Sequence, residues 1–159
     1  MKDPRSQAIR EQYAFQTRLI HHQVDGVTDE ESLLQLPFEA NCLNWVLGHI
    51  IARRHSAIEA LGEDPFWSED WLSRYRTGSA PIQTAEQAIP FQQLLEELDR
   101  SMSMLQEGLH TAGTDLLDRA VVNDRGEKAA AEHLDGFLWH ETFHIGQLDL
   151  LQAFTRSRR

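Results

Sequence analysis

The stretch FQQLLEELDRSMSMLQEGL, residues 91–109, decides the fold class. Phe91, Leu94, Leu95, Leu98, Met102, Leu105 and Leu109 return every three or four residues, the period of an α-helix with one apolar face. Glu96, Glu97, Asp99 and Arg100 fall on the opposite side and read as solvated surface; Gly113 stops the helix. Outward from this stretch the same period recurs three times. Upstream, Leu43, Val46, Leu47, Ile50, Ala57, Ile58 and Leu61 mark a helix over Asn41 to Leu61, with Gly62 as its stop. Asp3 before Pro4 is an N-cap followed by proline at the first helical position, so a helix starts there. It carries Ile9, Tyr13, Ile20 and Val24 until Asp25-Gly26 breaks the pattern. Downstream, Leu134, Phe137, Leu138, Ile145, Leu148, Leu151 and Phe154 mark a last helix of about 25 residues. Thr28 and Glu31 form a capping box for a short connecting helix of about two turns that Pro37 ends.

Four amphipathic helices in a chain of 159 residues predict an all-α four-helix bundle, one domain over residues 1–159. The link between the second and third long helices, residues 63–89, contains Pro65, Gly78 and Pro81 and reads as irregular. It is long enough to cross the bundle and let those two helices run parallel, although pattern alone leaves the helix order open. Its aromatics Phe66, Trp67 and Trp71 either cap a pocket mouth or form a small core under the link. Strand alternation is absent apart from a brief Ala120 to Val122, with Asn123, Asp124 and Gly126 read as a loop.

Composition narrows the function. A net charge of -10 repels phosphate backbones and anionic lipid surfaces, which argues against nucleic-acid and membrane partners. No run approaches the roughly 18 apolar residues of a membrane span, and no apolar run follows Met1-Lys2-Asp3-Pro4, so the expectation is a cytoplasmic protein. The cations Arg156, Arg158 and Arg159 form a terminal tail with no function assigned. Cys42 is the single cysteine, which excludes an internal disulfide and a thiolate-rich zinc site. Any metal has to use His, Asp or Glu.

His140 and His144 stand four apart in the last helix, so both rings project from one face and can reach one ion. Eight histidines placed at random would give about 0.4 such pairs, so the spacing alone is weak. Its weight comes from the apolar run Phe137 to Leu151, where an unpartnered imidazole is costly. The segment also matches H-E-x-x-H, in which Glu141 would activate water on a protease zinc. The residues after His144 hold no His and no Glu to complete that site, and Asp149 points away. A third ligand has to come from upstream. His49 is best placed, within the second long helix one turn after Trp45. His133 can line the site from two turns away. His55, after Arg53 and Arg54, reads as solvated; His21 and His22 end the first helix, and His110 ends the third. Gly48, Gly136 and Gly146 lie inside helices and read as points of close helix approach; Gln147 reads as a hydrogen bond at a helix contact.

The segments Asn44-Trp45-Val46-Leu47-Gly48-His49-Ile50 and His140-Glu141-Thr142-Phe143-His144-Ile145-Gly146-Gln147 resemble the DinB-like superfamily, and the likeness runs over nearly the whole chain. The resemblance implies a four-helix bundle of crossed-over helix order, commonly a homodimer, with a divalent ion on one His of the second helix and a His-x-x-x-His pair of the fourth. Those positions are His49, His140 and His144. Ile145 departs from family members that carry a polar residue there, which removes a polar neighbour from the last ligand. Three neutral ligands leave a fourth position open, which points to an enzyme, and the resemblance, whose members include thiol transferases, implies a zinc- or nickel-dependent transfer of a low-molecular-weight thiol onto a small electrophilic substrate. Glu141, one step off the His face, reads first as a salt-bridge partner; the alternatives are a metal-dependent hydrolase in which it is the general base, and a non-catalytic metal-binding module of the stress response.

Overall fold

The computed structural model describes residues 3–64 and 66–159. Met1, Lys2 and Pro65, the last read above as a break in the link, lie outside the described residues. In chain order the elements are α1 (Pro4–Val24), α2 (Asp29–Ser32), α3 (Leu43–Ala60), α4 (Glu69–Tyr75), α5 (Phe91–Thr111), α6 (Thr114–Leu117), β1 (Ala120–Asn123), β2 (Gly126–Ala129) and α7 (Ala130–Arg156). The protein is mostly helical, and the four stretches with helical period are its four long helices, α1, α3, α5 and α7.

Local chemistry sets the boundaries. Asp3 Oδ1 accepts the Arg5 N–H at 2.9 Å, which caps α1 ahead of Pro4. Thr28 and Glu31 cap each other's backbone, but α2 closes after a single turn instead of running on toward Pro37. Leu33 and Leu36 leave the helix there to pack against the core. The link is not wholly irregular either. Ser68 Oγ accepts the Trp71 N–H and starts α4, with Glu69 and Asp70 in its first turn. A second strand also appears where no alternation is visible, because Glu127 and Lys128 are both exposed. β1 and β2 pair antiparallel, Ala120 opposite Ala129, and Gly126 closes the turn at φ +90°.

Helix α3 packs between α5 and α7, and α1 packs on the same two helices from the other side. Directions follow from pairs along each contact. Asn44 donates to the Ile89 carbonyl just ahead of α5, Arg54 reaches Ser101, and Leu61 lies beside Gly108, so α3 and α5 run parallel. The link between them therefore returns along the length of α3. Arg53 of α3 reaches Asp124 before α7 begins, while His49 faces His140 and His144, so α3 and α7 are antiparallel.

The core is two apolar clusters with a polar layer between them. Ile20, Leu47, Leu94 and Leu148 belong to one, and Tyr13, Ile58, Leu105 and Phe137 to the other. Between them each long helix supplies one buried polar residue: Thr17, Arg54, Ser101 and Glu141. Arg54 grips Glu141 with two bonds of 2.6 and 2.9 Å, and also donates to Thr17 Oγ1 at 2.9 Å and Ser101 Oγ at 3.3 Å.

Candidate metal centre

Helix α3 is covered on every side, so a polar residue within it is buried and needs a partner. His49 is 2 % exposed, and its Nδ1 lies 2.7 Å from the Tyr75 carbonyl at the end of α4. A carbonyl only accepts, so Nδ1 carries the proton and Nε2 presents a lone pair. The Trp45 ring stacks on the imidazole at 4.7 Å and 9°, which fixes its plane. On α7, His144 is held the same way, with Nδ1 donating to Gln147 Oε1 at 2.7 Å. His140, half-buried, lies between them. Its Nε2 is 3.2 Å from His144 Nε2 and 3.5 Å from His49 Nε2, while its Nδ1 is buried without a hydrogen-bond partner.

These distances test the fit to a metal. Nε2 atoms of His49 and His144 are both acceptors, and a proton on His140 Nε2 can satisfy only one of them. A Lewis acid satisfies all three. Nitrogens about 2.0 to 2.1 Å from a tetrahedral ion stand about 3.3 to 3.4 Å apart, which brackets with the observed 3.2 and 3.5 Å. Desolvation lowers all three pKa values, His49 to about 4 and His140 to about 3, with the neighbouring imidazoles adding to the effect on both, so the ligands are neutral at pH 7. The three His are thus placed to hold a metal ion.

The cluster forms the floor of a cleft of about 740 Å³ walled by Leu36, Phe38, Trp45, Val46, Phe143 and Leu151 among others. Glu141 is not part of it. One step round α7 from His140, its carboxylate is committed to Arg54 in the polar layer. Several other expectations are corrected. His55 is buried, not solvated: its Nδ1 accepts the Trp67 N–H at 3.3 Å, because the link covers that side of α3. His133 does not line the site; it binds Asn123 and the Val121 carbonyl and anchors the hairpin to α7. Of the two readings of Phe66, Trp67 and Trp71, the core is the one observed: all three pack there and none lines the cleft. Gly48 is such a close approach, to the Tyr75 ring at the end of α4, whereas Gly136 meets the Arg125 guanidinium and Gly146 meets nothing within 4 Å. Gln147 serves a ligand instead of a helix contact. The Tyr75 carbonyl escaped sequence reasoning because a backbone oxygen has no residue signature; Gln147, three residues after His144, was within its reach.

Comparison with known proteins follows the same outline. A family model described as the DinB superfamily matches residues 12–148. A crystal structure of a conserved protein from Enterococcus faecalis is similar with a TM-score of 0.73 at 18% identity, over 99% of each chain, a likeness of fold alone. No curated protein matches the chain. Among the described residues no helix is long and apolar enough to cross a membrane.

Proposed function

The chain belongs to the DinB superfamily, and on that premise we propose that it is a divalent-metal-dependent S-transferase that passes a thiol onto a small electrophilic substrate. We read the four long helices as the family's crossed-over four-helix bundle. The observation that carries the reading is the convergence of three lone-pair nitrogens on the floor of a cleft that offers no other acid or base. A divalent ion, zinc or nickel by the all-nitrogen donor set, would be held by His49, His140 and His144, and its charge favours the thiolate form of a thiol at the cleft side.

The chain's own residues do the rest. Tyr75 and Gln147 keep the Nδ1 protons of His49 and His144 in place, and Trp45 holds the His49 ring plane. The apolar walls give competing water few hydrogen-bond partners, Asn41, Thr77 and Gln147 besides the His cluster. In the transfer the thiol proton goes to solvent, sulfur forms a bond to the electrophilic carbon, and the leaving group departs with its bonding pair. Hydrolysis would need a general base beside the water, and the one carboxylate adjacent to a ligand, Glu141, is tied to Arg54. The same lack of a proton-transfer group favours, as second reading, a non-catalytic metal-binding module.

The test uses protein purified without a histidine tag. Elemental analysis should give one divalent ion per chain, and His49→Ala or His144→Ala should lose both metal and thiol transfer while far-ultraviolet circular dichroism stays helical. Glu141→Gln should cost far less than the roughly 10²- to 10⁴-fold of a lost general base. A loss as severe as that of the His variants, with metal retained, would restore the hydrolase reading. Stoichiometric metal with no transfer from any thiol would leave the non-catalytic module.

A further inference from the structure

We infer that the cleft over the His cluster takes an uncharged, predominantly apolar small molecule, so that a thiol bound there carries an apolar body and not the charged one of a peptide-like thiol. The thiol part of this rests on the reading above; the polarity of the occupant rests on the walls alone.

A quarter of the chain is charged, yet no Asp, Glu, Lys or Arg is found among the described wall residues. The polar groups besides the His cluster are Asn41, Thr77 and Gln147, and the Gln147 oxygen is already engaged by His144. The arginines near the His cluster are turned elsewhere. Arg53 pairs with Asp124 at 2.8 Å, Arg53 and Arg125 both lie over the Phe137 ring, at 4.9 and 4.8 Å, and Arg54 is spent on Glu141. Away from the His floor, a carboxylate or ammonium entering such a cleft loses its hydration and meets no counter-charge. The one negative charge the site accommodates is at the His floor, where a bound cation would sit. The volume suits one small molecule, and the mouth leaves large apolar side chains open to water, Phe38 at 66 % and Trp139 at 73 %. An apolar occupant covers them.

The experiment compares two fluorescent probes of one skeleton on the metal-loaded protein: phenylnaphthylamine, which is uncharged, and anilinonaphthalene sulfonate, which adds one anionic group. The uncharged dye should bind about tenfold or more tightly than the sulfonate. Phe38→Lys, an exposed loop position at the mouth, should weaken the uncharged dye and narrow the preference. Equal or tighter binding of the sulfonate overturns the inference, as does a Phe38→Lys variant that leaves both affinities unchanged. A second arm reads thiols on cobalt-loaded protein through the sulfur-to-cobalt absorption band. Phenylmethanethiol should produce the band at about a tenth of the concentration that glutathione needs. Glutathione as effective as phenylmethanethiol overturns the inference while thiol binding stands. If neither thiol gives the band but the dye preference holds, the thiol reading falls and the apolar occupant remains.

Discussion

An imidazole that accepts a hydrogen bond has to be neutral at that nitrogen, and His55 accepts the Trp67 N–H. Burial pushes its pKa below the ordinary value, against the opposing pull of Glu59, whose carboxylate is 3.6 Å from Nε2. Linkage then fixes a sign. Below about pH 6.5 the unfolded chain takes up a proton at this position that the folded chain refuses, so stability falls as pH falls. Asn at position 55 can accept the same N–H and does not titrate. Unfolding free energies measured from pH 7 to pH 5 should therefore drop more steeply for wild type than for His55→Asn, by up to about one proton's worth of slope. Parallel curves would show that His55 titrates alike in both states. At the same scale Glu141 shows why a residue's identity does not assign its role. Beside a metal ligand in sequence, it faces Arg54, and the fold has spent its charge.

At the scale of elements, two glycines in helices have opposite meanings. A Cβ at Gly48 would overlap the buried Tyr75 ring, and Tyr75 is tied down three ways. Its hydroxyl donates to Asn44 at 2.9 Å and accepts the Ile89 N–H at 2.8 Å, and its carbonyl holds His49. Helix α4 is thus pinned to α3 at the metal site. Gly146 meets no atom within 4 Å, so nothing inside the chain requires it. Gly48→Ala is expected to lose about 1 to 3 kcal/mol by overpacking despite its better helix propensity, and to weaken zinc binding because the Tyr75 carbonyl shifts. Gly146→Ala should gain about 0.5 to 1 kcal/mol and leave zinc affinity unchanged. Urea unfolding and zinc titration of both variants check this; a Gly48→Ala protein with wild-type stability and affinity would refute the pinning.

Over the whole molecule, the polar layer ties all four long helices at one level, with Arg54 at its centre. A buried ion pair adds little net stability over apolar packing, but a buried charge left without its partner is costly. Glu141→Leu alone should therefore cost about 3 to 5 kcal/mol, and the double change Arg54→Met, Glu141→Leu should recover most of that. Denaturant midpoints of the two variants decide it: a double variant no more stable than the single would mean that Arg54 is satisfied without Glu141. The layer also sets the axial register of α3 on α7, and with it the height at which His49 meets His140 and His144.

What the chain's sequence determined by itself was whatever depends on near neighbours. The periods of α1, α3, α5 and α7 and the caps at Asp3 and Thr28 are local, and covalent geometry puts His140 and His144 on one face. His49 could be singled out from its place in an apolar helix, helped by the family resemblance. Tertiary structure alone decided the partners. Arg54 is 87 residues from Glu141, the Tyr75 carbonyl 26 residues from His49, and the link that buries His55 lies over α3 only because α3 and α5 run parallel. Burial and pairing at such separations depend on which helices the topology brings together. A residue's immediate neighbours carry no trace of that, which is why His55 reads as solvated and Glu141 has no named cation until the helices are packed.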